Sequence, residues 1–353
     1  MKRICFVTIG NIYMVPYMKN YSKHINSNYS VIYWDRENLN ETDENNRYYR
    51  FSYEIKPEDK VRKRIGYIKY RRFIIETLRE QNFDLVIFLQ TMSALLVGGY
   101  IEKKYRNRYI VDIRDYTYEE NKIIYNIEKR IVNATKMCII SSEGYKTFLP
   151  KHEYMTDHNM RDLLQSQVKD IQNREKSRMV IHIGFVGYVN YQDQHKKLIM
   201  ALKDDERFRM SFIGTRAFEL KKFCDENNVT NVTLIDTFDT AKTLNYYTDI
   251  DLVNNLYGNH TPTLDYALSN KLYFSTELRI PILVCADTFM ETISKKYGIG
   301  MTVDLDSEGV ADDIYNYYQN IDWNSFANGC SRFVSKAKND QKKLGEYLDS
   351  ILN

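Results

Sequence analysis

Asn270 and Lys271 form a polar pair at the head of an apolar helical pattern, and theirs is the chemistry most easily named. In the run SNKLYFSTELRIPILVCADTFMETISKKYGIGMTVD, Ser269 to Asp304, a helix opens at the pair and Pro281 ends it. An aliphatic strand follows, and a second helix closes on Gly298 and Gly300. A helix N-terminus beside a sheet edge offers free backbone N–H groups and a positive dipole end. It therefore suits an anion, and a diphosphate above all, although an ordinary α/β crossover reads the same way. Asp112, Arg114 and Asp115 stand where a predicted strand ends, the edge at which α/β folds place ligands. Asp115 could bind or deprotonate a hydroxyl, and Arg114 could grip a phosphate in bidentate fashion. A structural pair between Arg114 and Asp115 is the plain alternative. Gly184-Phe-Val-Gly187 lacks the spacing and the acidic partner of a dinucleotide fingerprint, which disfavours a dehydrogenase. Gly187 still lets backbone approach a phosphate, Tyr188 and Asn190 stand in the following loop, and His195, Lys196 and Lys197 are the nearest basic groups.

Short apolar strands alternating with amphipathic segments must position these residues. Strands are expected at Ile4–Thr8, Tyr29–Tyr33, Leu85–Leu89, Tyr109–Ile113 and Met137–Ser141. A second series is expected at Val180–Val186, Arg209–Ile213, Val232–Asp236, Leu252–Leu256, Ile282–Cys285 and Met301–Val303. A chain of 353 residues exceeds what one core usually serves, so two doubly wound α/β domains are expected. Their bounds read as residues 1–165 and 179–323. A polar linker at 166–178 joins them, and 324–353 reads as helices, which only analogy with relatives would bring back to the first domain.

The SNKLYFSTELRIPILV wording resembles the donor-holding segment of bacterial GT-B glycosyltransferases close to glycosyltransferase family 4. VDIRDY at Val111–Tyr116 and GFVGYVN at Gly184–Asn190 extend the likeness more weakly. The resemblance implies two Rossmann-like domains facing a central cleft, an N-terminal acceptor domain and a C-terminal nucleotide-sugar domain. It implies transfer of a sugar from a UDP- or GDP-type donor, as substrate and with no further cofactor, to a lipid-linked or oligosaccharide acceptor in capsule or exopolysaccharide synthesis. Retention of configuration without a metal is also implied. Gly187, Tyr188, Asn190, His260, Asn270, Lys271 and Leu272 would then hold the donor, while Asp115 and Arg114 would face the acceptor. Two glutamates of the family fall on Tyr266 and Phe274, neither a carboxylate, which leaves Asp265 and Glu277 as neighbours that could substitute; Glu277 is the expected ribose ligand. Those replacements support a rival reading, a non-catalytic GT-B subunit that binds glycan or stabilises a partner enzyme. A sugar-nucleotide epimerase is a third.

Hydrophobic content of 43% and a formal charge of +3 fit a globular protein and argue against a general polyanion, including nucleic acid, as partner. Five scattered cysteines, with no C-x-x-C pair, read as reduced buried thiols of a cytoplasmic protein. Asp249-x-Asp251 opens an apolar strand and no histidine pair has ligand spacing, so no metal site is expected. Leu85–Ile101 is too interrupted to span a bilayer. KVRKRIGYIKYRRFIIETLRE, Lys60 to Glu80, is a basic amphipathic helix: Arg62, Lys63, Arg64, Lys69, Arg71 and Arg72 would face the inner leaflet of a membrane. Otherwise Ile65, Ile68, Phe73, Ile74 and Leu78 would pack it on a sheet beneath merely solvated charges.

Overall fold

A computed structural model describes residues 2–55, 59–161, 163–173 and 179–353. The chain divides into two compact units, residues 1–158 with 339–353, and residues 159–338. In the first unit β1 (Ile4–Val7), β2 (Ser30–Asp35), β3 (Arg47–Ser52), β4 (Leu85–Leu89), β5 (Tyr109–Ile113), β6 (Met137–Ile140) and β7 (Tyr154–Thr156) form one sheet. Its order is β3-β2-β1-β4-β5-β6-β7, and every pairing is parallel. The central strands are apolar throughout because helices cover both faces of a parallel sheet; all five residues of β4, LVIFL, are buried.

The second unit carries β8 (Ile181–Val186), β9 (Phe208–Ile213), β10 (Val232–Ile235), β11 (Leu252–Asn255), β12 (Ile282–Val284) and β13 (Gly300–Thr302), in the order β10-β9-β8-β11-β12-β13, again all parallel. Both sheets therefore reverse their winding at one place, between β1 and β4 in the first and between β8 and β11 in the second. Doubly wound sheets open a crevice for ligands at the carboxyl end of such a reversal.

Three segments depart from the sequence reading. Most of the expected linker is a helix, Gln165–Gln172, whose Val168 and Ile171 are buried in the second unit's core; residues 174–178 lie outside the described residues. The helix Lys60–Gln81, capped by the Asp59 carboxylate on the Arg62 N–H, buries Gly66, Tyr70, Ile74, Thr77 and Leu78. It packs so closely that a Cβ on Gly66 would stand 2.6 Å from the Trp34 ring. Ile65 and Ile68, which the alternative reading would pack on the sheet, are instead exposed. The last helix, Trp323–Leu352, is continuous. Phe326, Cys330, Phe333 and Ala337 belong to the second unit's core, and Leu344, Leu348 and Leu352 to the first unit's. All five cysteines are free and buried. Among the described residues no helix is long and apolar enough to cross a membrane.

Candidate functional site

The helix Asn270–Leu278 begins where the sequence places it. The Ser269 hydroxyl accepts the Lys271 N–H at 3.2 Å, and Arg279 ends the helix in the left-handed conformation before β12. The Leu272 N–H is bonded to the Ser269 carbonyl, so of the first three amides that of Asn270 alone has no acceptor among the described residues. The Lys271 side chain is 6% exposed. Its ammonium lies 3.9 Å from the centroid of Phe185 and 5.1 Å from that of Tyr257, and donates to the Tyr257 hydroxyl at 2.6 Å. No carboxylate among the described residues pairs with it. Aromatic faces attract a cation, but they do not cancel its charge.

The groups around the ammonium keep that charge single and accessible. His195 is fully buried against Phe185 and Phe212, at 4.7 and 5.0 Å between ring centroids. Burial and then the neighbouring Lys271 push its pKa down to about 3, so its ring is neutral at physiological pH. Gly187, at φ 138°, follows β8 at the winding reversal, and a Cβ there would stand 3.4 Å from the Lys271 ammonium. A backbone without a side chain leaves the ammonium open on that side.

Two adjoining cavities of about 280 Å³ each meet at Tyr188, Tyr257 and Ser269. One holds Gly187, Asn270 and Lys271 and is walled by Phe274, which stacks on Tyr247 at 5.1 Å and 11°. Arg161 lines it too, its guanidinium 5.9 Å from the Phe274 ring and without a hydrogen-bond or carboxylate partner among the described residues. The other is walled by Asn190, Tyr191 and Asn255, whose buried Oδ1 has no partner. Asn190 is pinned by Arg216, which donates to its Oδ1 at 2.6 Å while two further bonds, at 2.8 and 2.9 Å, tie it to Glu219.

Several expected site residues are elsewhere. Leu272 is fully buried in the core, because the helix is enclosed on nearly every side. Glu277 lines a separate 240 Å³ cavity with Gln172, Arg279 and Lys338, while Phe274, one turn earlier, faces the Lys271 cavity. His260 is exposed in a left-handed turn and lines neither cavity. Lys196 and Lys197 pair with Asp193 and Asp306. The Asp251 carboxylate accepts the His182 backbone N–H at 2.9 Å and so ties β8 to the start of β11, while Asp249 meets the His182 ring, at 2.9 Å, through its backbone carbonyl. The same residues show what sequence reasoning missed: Arg161 lies outside any periodic segment, whereas Arg216 had a signal, its place just after β9.

In the first unit Arg114 is 8% exposed and does not pair with Asp115. Its Nε donates to Asp112 at 2.9 Å, its Nη2 reaches Asp157, and its plane lies 3.9 Å from the Tyr17 centroid. Asp157 also accepts from Asn20 and from Gln341. Burial pushes Asp112 up to about 6, against the pull of Arg114. Asp115 is exposed at the edge with no side-chain partner, and desolvation raises its pKa while Arg114 lowers it. At the winding reversal itself, the side-chain oxygens of Thr8, Gln90 and Thr91 are buried without partners. Gln90 has φ 75° and ψ 139°, a conformation glycine adopts more readily; a strained non-glycine of this kind costs about 1 to 3 kcal/mol. Behind this edge Glu128 is buried with both oxygens unpartnered, and burial followed by Glu119 pushes it up to about 8.

Solved structures resemble the whole chain. A sucrose-phosphate synthase from Thermosynechococcus elongatus matches with a TM-score of 0.69 at 11% identity, covering 99% of each chain. HepE from Anabaena, in complex with UDP, matches at 0.65 and 11% identity, covering 99% of this chain and 100% of its own. An α,α-trehalose-phosphate synthase (UDP-forming) from Burkholderia vietnamiensis matches at 0.67 and 7% identity, covering 99% of this chain and 98% of its own. The chain carries the GT-B fold. No protein-family model and no curated protein matches it, so the GT-B likeness is one of architecture.

Proposed function

We propose that the protein is a glycosyltransferase that takes a sugar from a nucleoside diphosphate of the UDP or GDP type. The observation that carries this reading is the buried Lys271 ammonium, uncompensated by any carboxylate, beside Gly187 and the free Asn270 N–H at the winding reversal of the second sheet. A diphosphate placed there supplies the missing counter-charge. Positive groups held in advance stabilise the charge that grows on the departing diphosphate, without reorganising during the reaction. Arg161 adds a second cation, and the two adjoining cavities offer room for the groups on either side of the diphosphate, with Tyr188 and Asn190 in their walls. HepE binds UDP in the solved complex, which supports a donor of this class.

The acceptor is a saccharide hydroxyl, recognised by the neutral oxygens of Thr8, Gln90 and Thr91 and by Asp115. Lipid linkage, capsule or exopolysaccharide assembly, retention of configuration and metal independence follow the family resemblance. Membrane docking rests on more than that: Val61, Ile65 and Ile68, spaced i, i+4, i+7, are exposed, at 69% and 71% for the outer two. Arg62, Lys63, Arg64, Lys69 and Arg71 around them have no carboxylate partner among the described residues, while Arg72 pairs with Glu76 at 2.7 Å. An aliphatic strip among these cations, of which Arg62 and Lys69 lie over the Tyr53 ring at 5.4 and 4.9 Å, suits an anionic bilayer surface, each cation contributing about 1 kcal/mol.

Phe274 and Tyr266, which take the place of two carboxylates, favour a second reading, a non-catalytic subunit that keeps the fold and binds glycan. Thermal stabilisation by a panel of nucleoside diphosphates and nucleotide sugars decides between them. A ligand at a hundred times its dissociation constant adds about 2.7 kcal/mol. A UDP- or GDP-selective shift that disappears in Lys271→Ala supports the transferase; no shift with any nucleotide supports the subunit.

A further inference from the structure

The amino-terminal edge of the first sheet, at the opposite end of its strands from Thr8 and Gln90, encloses a cavity of 310 Å³. Neither donor nor acceptor chemistry accounts for it. Arg3, just before β1, and Arg47, which opens β3, both line it. The Arg47 guanidinium lies 5.0 Å from the Tyr49 ring centroid and has no hydrogen-bond or carboxylate partner among the described residues. The Arg3 guanidinium lies 5.6 Å from the Phe83 centroid and donates only to the neutral Gln81 amide, at 3.2 Å. Of the nearby acids, Asp84 accepts the Arg3 backbone N–H and Asp43 holds Tyr48 and Asn46, while Glu80 acts on Tyr49 through its charge alone.

The Tyr49 hydroxyl, in the same lining, is buried with no partner, and burial raises its pKa against the pull of the Arg47 and Arg3 guanidiniums. The Asn28 and Asn45 side-chain amides in its lining make no hydrogen bond among the described residues. The cavity thus combines two unanswered guanidiniums, an orphaned phenol, free amides and aromatic faces. Guanidiniums grip carboxylate or phosphate in bidentate fashion, amides and a phenol match hydroxyls, and an aromatic face takes the apolar face of a ring. Its volume lies at the small end of ligand sites, the size of one sugar rather than a chain.

We propose that this cavity binds a monosaccharide unit bearing a carboxylate or a phosphate, its anion between Arg3 and Arg47 and its hydroxyls on Tyr49, Asn28 and Asn45. The site stands apart from the Lys271 cavity and does not depend on the transferase reading. Calorimetric titration of the full chain with glucuronate and with glucose 6-phosphate tests it, with glucose and inorganic phosphate as controls. At least one sugar acid binds, the tighter of the two naming the anion, and glucose and phosphate each bind at least tenfold more weakly. Arg47→Ala, a change at an exposed side chain, weakens binding tenfold or more; Tyr49→Phe, which keeps the ring, weakens it severalfold; Lys271→Ala leaves it unchanged. Failure of both sugar acids to bind overturns the proposal, as does phosphate binding as tightly as the sugar acids, unaltered affinity in a folded Arg47→Ala protein, or loss of binding in Lys271→Ala.

Discussion

The two units wind their sheets in the same order and treat buried charge in opposite ways. In the first, Arg114 is answered by Asp112 and Asp157, and Glu128 is carried toward its neutral form by burial. The unpartnered oxygens of Thr8, Gln90 and Thr91 at its winding reversal are uncharged. In the second, Lys271 is buried at the corresponding reversal with aromatic rings and a phenol for company, and His195 beneath it is neutral. One topology thus presents neutral hydrogen-bonding groups in one unit and an unanswered cation in the other. A buried charge left without a partner is costly, and a visiting anion, as in the function proposed above, would meet that cost.

That contrast can be broken most forcefully at Arg114. Arg114→Met leaves two carboxylates buried without their cation and is expected to lower unfolding free energy by about 3 to 5 kcal/mol in urea denaturation. A loss below about 1 kcal/mol would show that the network is not compensating charge. Glu128 gives the next effect. Its folded pKa is raised, so its contribution is fully present below about pH 4.5 and is lost as pH rises through about 8. Glu128→Gln should therefore match the wild type near pH 4 and exceed it by up to about 4 kcal/mol at pH 8; a pH-independent difference contradicts the assignment. Lys271→Met sharpens the other side. The variant should stay within about 1 kcal/mol of wild-type stability, since no ion pair is lost, yet forfeit the roughly 2.7 kcal/mol that saturating UDP or GDP supplies. A protein that unfolds instead would make Lys271 a structural residue. Smallest is Arg216→Ala, which frees Asn190 and should weaken nucleotide-sugar binding by about 1 kcal/mol, one hydrogen bond's worth, seen as a rise in dissociation constant without a change in melting temperature.

Much of this contrast lay in the sequence, and the rest was hidden for physical reasons. Every strand of the second sheet was legible because each is an apolar run bounded by turns. In the first sheet β3 was not, since RYYRFS alternates cations and aromatics on an edge that is only half-buried, and β7 is three residues long. The helix start at Asn270 could be read from a polar cap before an apolar pattern. What Lys271 touches could not, because Phe185 comes from β8 and Tyr257 from the loop after β11. Arg114 was legible as a charged group at a strand end, but Asp157, 43 residues on, could not be seen as its partner. His195 read with Lys196 and Lys197 as one basic run. The helical period separates them, turning His195 inward and the lysines outward.

The helix Trp323–Leu352 sets an order on how the protein can be made. Leu344, Leu348 and Leu352 complete the core of the first unit, yet the ribosome adds them only after the whole of the second unit has been synthesised. For that interval the underside of the first sheet waits with Ile4, Phe6 and Val31 uncovered, in a nascent chain that a chaperone can recognise. The second unit has its whole core, Phe326 to Ala337 included, before that moment arrives. The half of the molecule that begins first is therefore the half that finishes last.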